Sequence, residues 1–334
     1  MRWHLTPLIV VALLAFDLAT LAYSVLEGPF PITVTLGTPM AYKNIYIHVP
    51  IALSTYILFA GAAASALLYI LRGGGYLAYT DTFIAIGIIY AAATLATGIA
   101  WASESWGAPW NWDPKQTAVL LLAIAYAAYF PLKRSIADPD RRSRVAAAYA
   151  LAAFSMVPIS YLSSRVLESL HPTTEAVAEF TQGGAGGVLL IVRIVIVAAL
   201  TLTIAIAAAR GSLRLSTGIP LLYLAISITA AIALFWGSVG GGERVLTAEV
   251  DSGGRIVSIT LASGDKIVFN EPVENPINPP LTPEGGSSIV SHIVRVENGS
   301  LKVLYHWSTP FSYLAHTIII SLSLAYGIRR GSRA

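Results

Sequence analysis

The chain contains no cysteine, and that absence excludes several kinds of chemistry at once. It forms no disulfide, no cysteine-ligated zinc site and no covalent cofactor link through a Cys-x-x-Cys-His motif. Charged residues make up only 12% of the 334 residues, whereas a soluble domain normally carries about 25%. Because 55% of the residues are hydrophobic, the sequence predicts a polytopic protein embedded in a lipid bilayer. The net charge of +3 is too small to indicate a nucleic-acid partner.

Apolar stretches that are long enough to cross a bilayer, about twenty residues each, recur along the chain. We place eight of them, at residues 5–26, 46–71, 82–103, 117–132, 146–167, 187–209, 217–238 and 308–328. The fourth is short and could begin inside the tryptophan-containing loop before it. The first resembles a signal peptide, but no clean cleavage site follows it and further spans do, so we interpret it as an anchor. The predicted fold class is an all-α polytopic membrane protein with about eight transmembrane helices.

Positive charge alternates between the loops, and this alternation predicts the orientation. The basic residues that mark every second loop and both ends of the chain are Arg2, Arg72, Lys133, Arg134, Arg141, Arg142, Arg144, Arg210, Arg214, Arg329, Arg330 and Arg333. By the positive-inside rule these segments are cytoplasmic, so both termini are expected on the cytoplasmic side of the cell membrane. The loops left on the external side are 27–45, 104–116, 168–186 and 239–307.

The last external loop differs in character from the others. Branched apolar and polar side chains alternate in five short runs, at 244–250, 255–261, 266–270, 289–296 and 301–306. Such alternation predicts strands, so we expect a small extracytoplasmic β domain between the last two spans, with the proline-rich stretch 272–283 as a loop. The expected units are a six-helix module, 1–212, a seventh span, 213–240, the β domain, 241–306, and an eighth span with a basic tail, 307–334.

Four of the seven tryptophans lie within one short stretch between the third and fourth predicted spans. They are Trp101, Trp106, Trp110 and Trp112, and Asp113 follows directly, so we expect an external tryptophan-rich loop over 101–117. Tryptophans often form belts at membrane interfaces, but a belt spreads its residues around the protein, whereas these are concentrated in one loop. Large flat indoles grouped where membrane meets water favour a platform for a large flat ligand.

Two of the six histidines are predicted on the same side of the membrane as this loop. His48 lies at the outer end of the second span, and His171 lies in the outer loop after the fifth. Two imidazoles that flank an aromatic shelf are what a six-coordinate haem needs. The alternative is that each is an ordinary helix-end residue bonded to backbone or water. Of the other four, His4 is interpreted as interfacial and His316 as a contact between helices. His292 and His306 are interpreted as surface residues of the β domain.

Charged residues inside predicted spans are costly and therefore indicate function. Arg165 and Arg193 lie near the outer ends of the fifth and sixth spans, and a guanidinium can pair bidentately with a haem propionate. We expect one of them to hold a propionate. The alternative is that both reach the interface or pair with Glu168 or Glu175. Asp17, midway along the first span, is expected to hydrogen-bond to a neighbouring helix.

The segment from Trp106 to Thr117, WGAPWNWDPKQT, resembles the tryptophan-rich "WWD" signature of the haem-handling proteins of cytochrome c assembly. The sequence YIHVP around His48 resembles the first external histidine motif of the haem exporter subunit CcmC, and His171 matches the position of its second. The order of these motifs and the six-span layout are similar through about residue 212, nearly two-thirds of the chain.

The resemblance implies that His48 and His171 are the axial ligands of a transiently bound haem b on the external face. Lys115 would pair with Asp113 or with a propionate. The loop residues that would hold the haem or its receiving chaperone are Trp106, Trp110, Trp112 and Asp113. The implied partners are a CcmE-like haem chaperone, CcmA-like and CcmB-like ABC transporter subunits and a small CcmD-like subunit. The predicted function is export and transfer of haem for cytochrome c biogenesis, without bond-making by this chain.

Departures from the CcmC pattern keep alternatives open. Lys115 stands where many CcmC sequences carry arginine, and its surroundings are closer to the CcsA-type cytochrome c synthases. Those enzymes join haem to an apocytochrome and use histidines within the membrane for a second haem. Here only His316 is a candidate of that kind, and it lies outside the matching region, which favours the CcmC-like interpretation. A solute transporter, which would need inverted repeats with broken helices, and a purely structural subunit are the remaining alternatives.

Overall fold

The computed structural model describes residues 5–26, 28, 43–171, 184–235, 243–261, 264, 266–273, 292–297, 300–304 and 307–332. Eight helical segments in these residues are long and apolar enough to cross a membrane, so the predicted fold class is confirmed. The helices are α1 (Leu5–Leu26), α2 (Ile45–Arg72), α3 (Tyr76–Ser105), α4 (Pro114–Ala127), α5 (Tyr129–Ser135), α6 (Pro139–Ala153), α7 (Met156–Val166), α8 (Ala185–Ala209), α9 (Gly218–Phe235) and α10 (Ser308–Gly331). The fourth span consists of α4 and α5, and the fifth consists of α6 and α7.

The fourth and fifth spans begin earlier than their predicted bounds, each at an aspartate–proline pair. α4 begins at Pro114 rather than at 117, and α6 begins at Pro139 rather than at 146. In each case the preceding aspartate, Asp113 or Asp138, accepts backbone N–H groups of the first turn. Proline suits the first helical position because its missing N–H would have no helical partner there. The length of the apolar stretch alone therefore underestimated the length of both helical segments.

Prolines interrupt the fourth and fifth spans. α5 begins two residues before Pro131, and α7 begins two residues before Pro158. A proline cannot donate to the carbonyl four residues earlier, which favours a break at that point. α2 also contains a proline, Pro50, yet it continues without interruption from Ile45 to Arg72. The second span therefore tolerates a proline that the other two spans do not.

The helices share one apolar core, in which α2 and α3 are packed against each other. Phe59 of α2 stacks on Tyr126 of α4 with ring centroids 3.6 Å apart. Tyr90 of α3 shares a 2.6 Å hydrogen bond with Thr201 of α8. The last helix, α10, packs against α3, α8 and α9. It is thus an integral part of the bundle, although it follows the sheet in the chain.

Between α9 and α10, the described residues form five antiparallel strands in the spatial order β3-β2-β1-β4-β5. They are β1 (Glu243–Val250), β2 (Ile256–Leu261), β3 (Lys266–Val273), β4 (His292–Glu297) and β5 (Ser300–Leu304). The β1–β2 turn is closed by Asp251, whose carboxylate accepts the N–H groups of Gly253 and Arg255. The backbone N–H of Arg255 lowers the pKa of the Asp251 carboxyl. Most of the predicted proline-rich loop 272–283 lies outside the described residues.

Gly87 of α3 faces the Phe59 ring, and a Cβ there would lie 2.5 Å from Phe59 Cε1. Because Phe59 is held by stacking on Tyr126, we expect Gly87→Ala to lower the free energy of unfolding by about 1–3 kcal/mol. Thermal unfolding in detergent measures this. Gly75→Ala is the control, since nothing lies within 4 Å of a Cβ at that position. Equal melting temperatures for the two variants would contradict the close contact between Gly87 and the Phe59 ring.

Candidate functional site

His48 lies in the first turn of α2, with 7% of its surface exposed. Its Nδ1 lies 2.8 Å from Oγ1 of Thr97 on α3. The Thr97 hydroxyl donates to the carbonyl of Ala93 at 2.8 Å, so its oxygen is available to accept an N–H from the imidazole. This arrangement places the imidazole proton on Nδ1 and leaves the lone pair on Nε2. A histidine in that tautomer presents Nε2 as a metal ligand.

Two further residues of α3 shape the space around this ring. Trp101 packs edge-on against it, with ring centroids 5.8 Å apart and planes at 75°. At Gly98, a Cβ would lie 3.1 Å from His48 Cε1, so a larger residue there would crowd the imidazole. Sequence reasoning missed Thr97 and Gly98. Their only signal is a polar residue followed by a small one on an otherwise apolar helix.

The tryptophan loop, residues 106–113, is held by a buried side chain of α4. Gln116 Oε1 accepts the N–H of Asn111, and Gln116 Nε2 donates to the carbonyl of Pro109, both at 3.2 Å. At the start of the loop, the N–H of Trp106 donates to the carbonyl of Ala102 at 2.7 Å and closes α3. The loop is therefore fixed at its beginning and in its middle.

Trp110 and Trp112 meet edge to face, with ring centroids 5.7 Å apart and planes at 85°. Trp112 is 74% exposed, and its φ is +55°, a backbone conformation that is rare for a bulky residue. Such a conformation costs about 1–3 kcal/mol, persists only where the surroundings impose it, and is common at functional sites. Here the constrained loop holds an indole outside the protein instead of burying it.

The Asp113 carboxylate joins this loop to the segment that carries His171. One oxygen caps α4, and the other, Oδ2, accepts the Ser169 hydroxyl at 2.7 Å and the N–H of Leu170 at 2.8 Å. The Ser169 oxygen in turn accepts the N–H of His171 at 3.1 Å. Asp113 is 4% exposed, so these bonds form largely out of contact with solvent. The aspartate therefore sets where the second histidine segment lies.

His171 is half-buried and is held beside the tryptophan loop through Ser169 and Asp113. Lys115 lies in the first turn of α4. Its Nζ donates to the backbone carbonyls of Ser160 at 2.8 Å and Tyr161 at 3.0 Å, both on α7. The structure thus brings both predicted histidines, Lys115 and the tryptophan loop to one end of the bundle.

The two arginines that are expected near a propionate lie in different surroundings. Arg165 is exposed in the last turn of α7. Arg193 is fully buried in α8, where its Nη1 pairs with Oδ1 of Asp17 at 2.6 Å. The expected hydrogen bond from Asp17 to a neighbouring helix is confirmed. Of the two arginines, Arg165 is therefore the one on the protein surface.

The other four histidines have interfacial, surface or helix-contact roles in the sequence interpretation. Nε2 of His316 on α10 lies 2.9 Å from Oδ2 of Asp17, so its predicted role as a helix contact is confirmed. His292 begins β4. His4 and His306 lie outside the described residues.

A family model described as "Cytochrome C assembly protein" matches residues 4–171, the part of the chain that contains both histidines and the tryptophan loop. Heme exporter protein C of Rhodobacter capsulatus is 31% identical over 111 residues, 33% of this chain and 45% of that protein. Heme exporter protein C of Escherichia coli is 28% identical over 132 residues, 39% of this chain and 54% of that protein. Cytochrome c biogenesis protein CcsA of Thermosynechococcus vestitus is 36% identical over 89 residues, 26% of this chain and 27% of that protein. The matches therefore span between a quarter and about half of the length of these relatives.

Asp113→Ala removes both a helix cap and the tie to residues 169–171, whereas Asp138→Ala removes only a cap of the same kind. We expect each variant to lose about 1 kcal/mol of stability through its cap. Only Asp113→Ala should increase hydrogen exchange of the backbone amides in 168–171. Hydrogen-exchange mass spectrometry in detergent measures this, and unchanged exchange in that segment would show that the carboxylate does not hold it.

Proposed function

Because the chain belongs to the cytochrome c assembly protein family, we propose that it handles haem in cytochrome c biogenesis. It binds haem b transiently between His48 and His171 and passes it on. The observation that supports this most is the meeting of three separate motifs at one end of the bundle. Trp101 packs on His48, and Asp113 ties the tryptophan loop to the His171 segment.

The side chains at this end fit the chemistry of an iron porphyrin. Nε2 of His48 carries the lone pair that an iron ion needs, since the contact with Thr97 holds the proton on Nδ1. His171 supplies a second imidazole, and two imidazoles complete six-coordinate haem iron. Trp110 and Trp112 offer flat apolar surface to the porphyrin, and the exposed position of Trp112 leaves its indole accessible to a ligand or a partner.

A haem that must later leave needs ligands of unequal rigidity. His48 is on a helix and bonded to a second helix, whereas His171 is on a loop that is held through Asp113. Loops move more readily than packed helices, so release is expected to begin with His171. The protein then supplies ligation and orientation, and the reactivity belongs to the haem.

We assign a haem propionate to Arg165, because this arginine is exposed at the same end of the fifth span as Ser169 and His171. A guanidinium binds a carboxylate bidentately. Lys115 is bonded to α7, so we give it the role of holding α7 against the tryptophan loop. We propose that the chain lies in the cell membrane, with both termini cytoplasmic and the haem end external, as the positive-inside rule favours. Its proposed partners are a CcmE-like chaperone, CcmA-like and CcmB-like transporter subunits and a CcmD-like subunit.

A cytochrome c synthase is the second candidate, and the similarity to CcsA of Thermosynechococcus vestitus favours it. A synthase of that type would need a histidine within the membrane for a second haem. Nε2 of His316 is hydrogen-bonded to Asp17, which supports the transfer role. The haem content of purified protein separates the two candidates. One haem per chain supports transfer, and two support a synthase.

His48→Ala, His171→Ala and the double variant test the ligands directly. We expect purified protein supplied with haem to give a low-spin absorption spectrum, and each single variant to give high-spin haem because one axial ligand is lost. The double variant should bind little haem. A normal low-spin spectrum in the double variant would remove the assignment. The melting temperature of each variant checks that the fold is retained.

Thr97→Val tests the tautomer of His48. It keeps the shape of the side chain but removes the oxygen that accepts from Nδ1, so we expect haem affinity to fall about 10- to 100-fold. Thr94→Val is the matched control, since Thr94 is a buried threonine on the same helix that bonds to Thr55 and to the carbonyl of Tyr90. Haem titration followed by absorbance measures both. Equal affinities would contradict a role for Thr97 in orienting the ligand.

A further inference from the structure

We propose that Arg193 is a positioning residue for His48 and that it acts through the backbone carbonyl of Tyr46. This inference rests on the proposed role of His48 as a haem ligand. Arg193 lies beyond the residues matched by the family model, which end at 171. Its guanidinium reaches from α8 to the first turn of α2, where Nε donates to the Tyr46 carbonyl at 3.2 Å.

This carbonyl is the one to which Pro50 would donate if it were any other residue. In an α-helix the N–H of a residue donates to the carbonyl four residues earlier, and proline has no N–H to give to Tyr46. His48 lies midway between Tyr46 and Pro50. In the fourth and fifth spans, Pro131 and Pro158 coincide with breaks, whereas α2 is continuous. Arg193 supplies to α2 the hydrogen bond that its proline removes.

The guanidinium is held by α1, and the Asp17 carboxylate of α1 is held in turn by two further helices. Nη1 pairs with Asp17 Oδ1 at 2.6 Å and donates to the Thr20 hydroxyl at 3.1 Å, both on α1. Oδ2 of Asp17 accepts the Tyr223 hydroxyl of α9 at 2.6 Å and lies 2.9 Å from His316 Nε2 of α10. Arg193, Asp17 and His316 are completely buried. The Asp17–Arg193 pair therefore transmits the position of α9 and α10 to the start of α2.

Through the Asp17–Arg193 pair, the last two helices take part in positioning the haem site. Both helices lie outside the segment that the family model matches. Thr97 orients the His48 ring, and Arg193 sets where the backbone that carries the ring begins. Removal of Arg193 would leave the buried Asp17 charge without its guanidinium partner, which destabilises the whole bundle. The informative variant is therefore one that keeps the charge and removes only the bond to Tyr46.

Arg193→Lys is such a variant. A lysine ammonium can pair with Asp17, but it has no second nitrogen in a fixed fork that reaches the Tyr46 carbonyl at the same time. We expect haem affinity to fall about tenfold and the high-spin fraction to rise, as for the loss of a residue that orients a metal ligand. Pro50→Ala restores a backbone N–H for Tyr46. The double variant Pro50→Ala, Arg193→Lys should therefore regain wild-type affinity and a low-spin spectrum.

Arg210→Lys is the matched control, because Arg210 lies at the other end of α8 and bonds to the Tyr79 hydroxyl. It should leave the haem spectrum unchanged. Hydrogen exchange of residues 47–53 in haem-free protein gives a second reading that does not depend on haem. Exchange should increase in Arg193→Lys and return to the wild-type rate when Pro50→Ala is added.

The outcomes separate this inference from the proposed function. If wild-type protein binds no haem, the proposed function fails, and the exchange rates still decide whether Arg193 holds the first turn of α2. Wild-type affinity in Arg193→Lys would overturn the positioning role, whatever the exchange rates are. A loss of affinity that Pro50→Ala does not restore would overturn it too, because Arg193 would then act on the haem by another route.

Discussion

The arrangement of the site depends on one buried carboxylate, that of Asp113. One of its oxygens caps α4 and the other accepts two donors from residues 169 and 170, so two loops that are distant in the chain share one anchor. Hydrogen bonds to an ionised carboxylate are stronger than neutral ones, and burial protects them from competition with water. Without this anchor the tryptophan loop and the His171 segment would be independent surface loops. The strained backbone of Trp112 is imposed by the same constrained loop.

The first histidine is held in a different way, by packed helices rather than by a loop. Thr97 orients its ring, Gly98 leaves room for it, and Arg193 bonds to the Tyr46 carbonyl, to which Pro50 cannot donate. We propose that a rigid ligand and a loop-held ligand together suit a cargo that binds and then departs. The polar network of Asp17 and Arg193 connects this end to α9 and α10. The last two helices, which lie beyond the matched family segment, are in this way part of the same structural unit.

The number of spans, the strands and the location of the candidate site could be predicted from the sequence. For the spans this is because the lipid bilayer constrains the length and composition of any helix that crosses it. Hydrocarbon thickness sets the length of each span, and eight apolar stretches of that length correspond to eight helical spans among the described residues. Alternation with period two predicted the strands, and the clustered tryptophans indicated the site. The helix start at Pro139 was missed and the start at Pro114 was left open, although an aspartate before a proline is a readable signal of both. The partners of Arg193 and the Thr97 contact were not predictable, since they depend on which faces of distant helices meet.

The central claim is that the imidazoles of His48 and His171 bind one haem iron beside Trp110 and Trp112. A cryo-electron microscopy structure of the full chain supplied with haem tests it most directly. The account predicts a single porphyrin at the end of the bundle that carries the tryptophan loop, with iron ligated by Nε2 of His48 and by His171. Porphyrin density elsewhere, or iron at this end ligated by neither histidine, would contradict it.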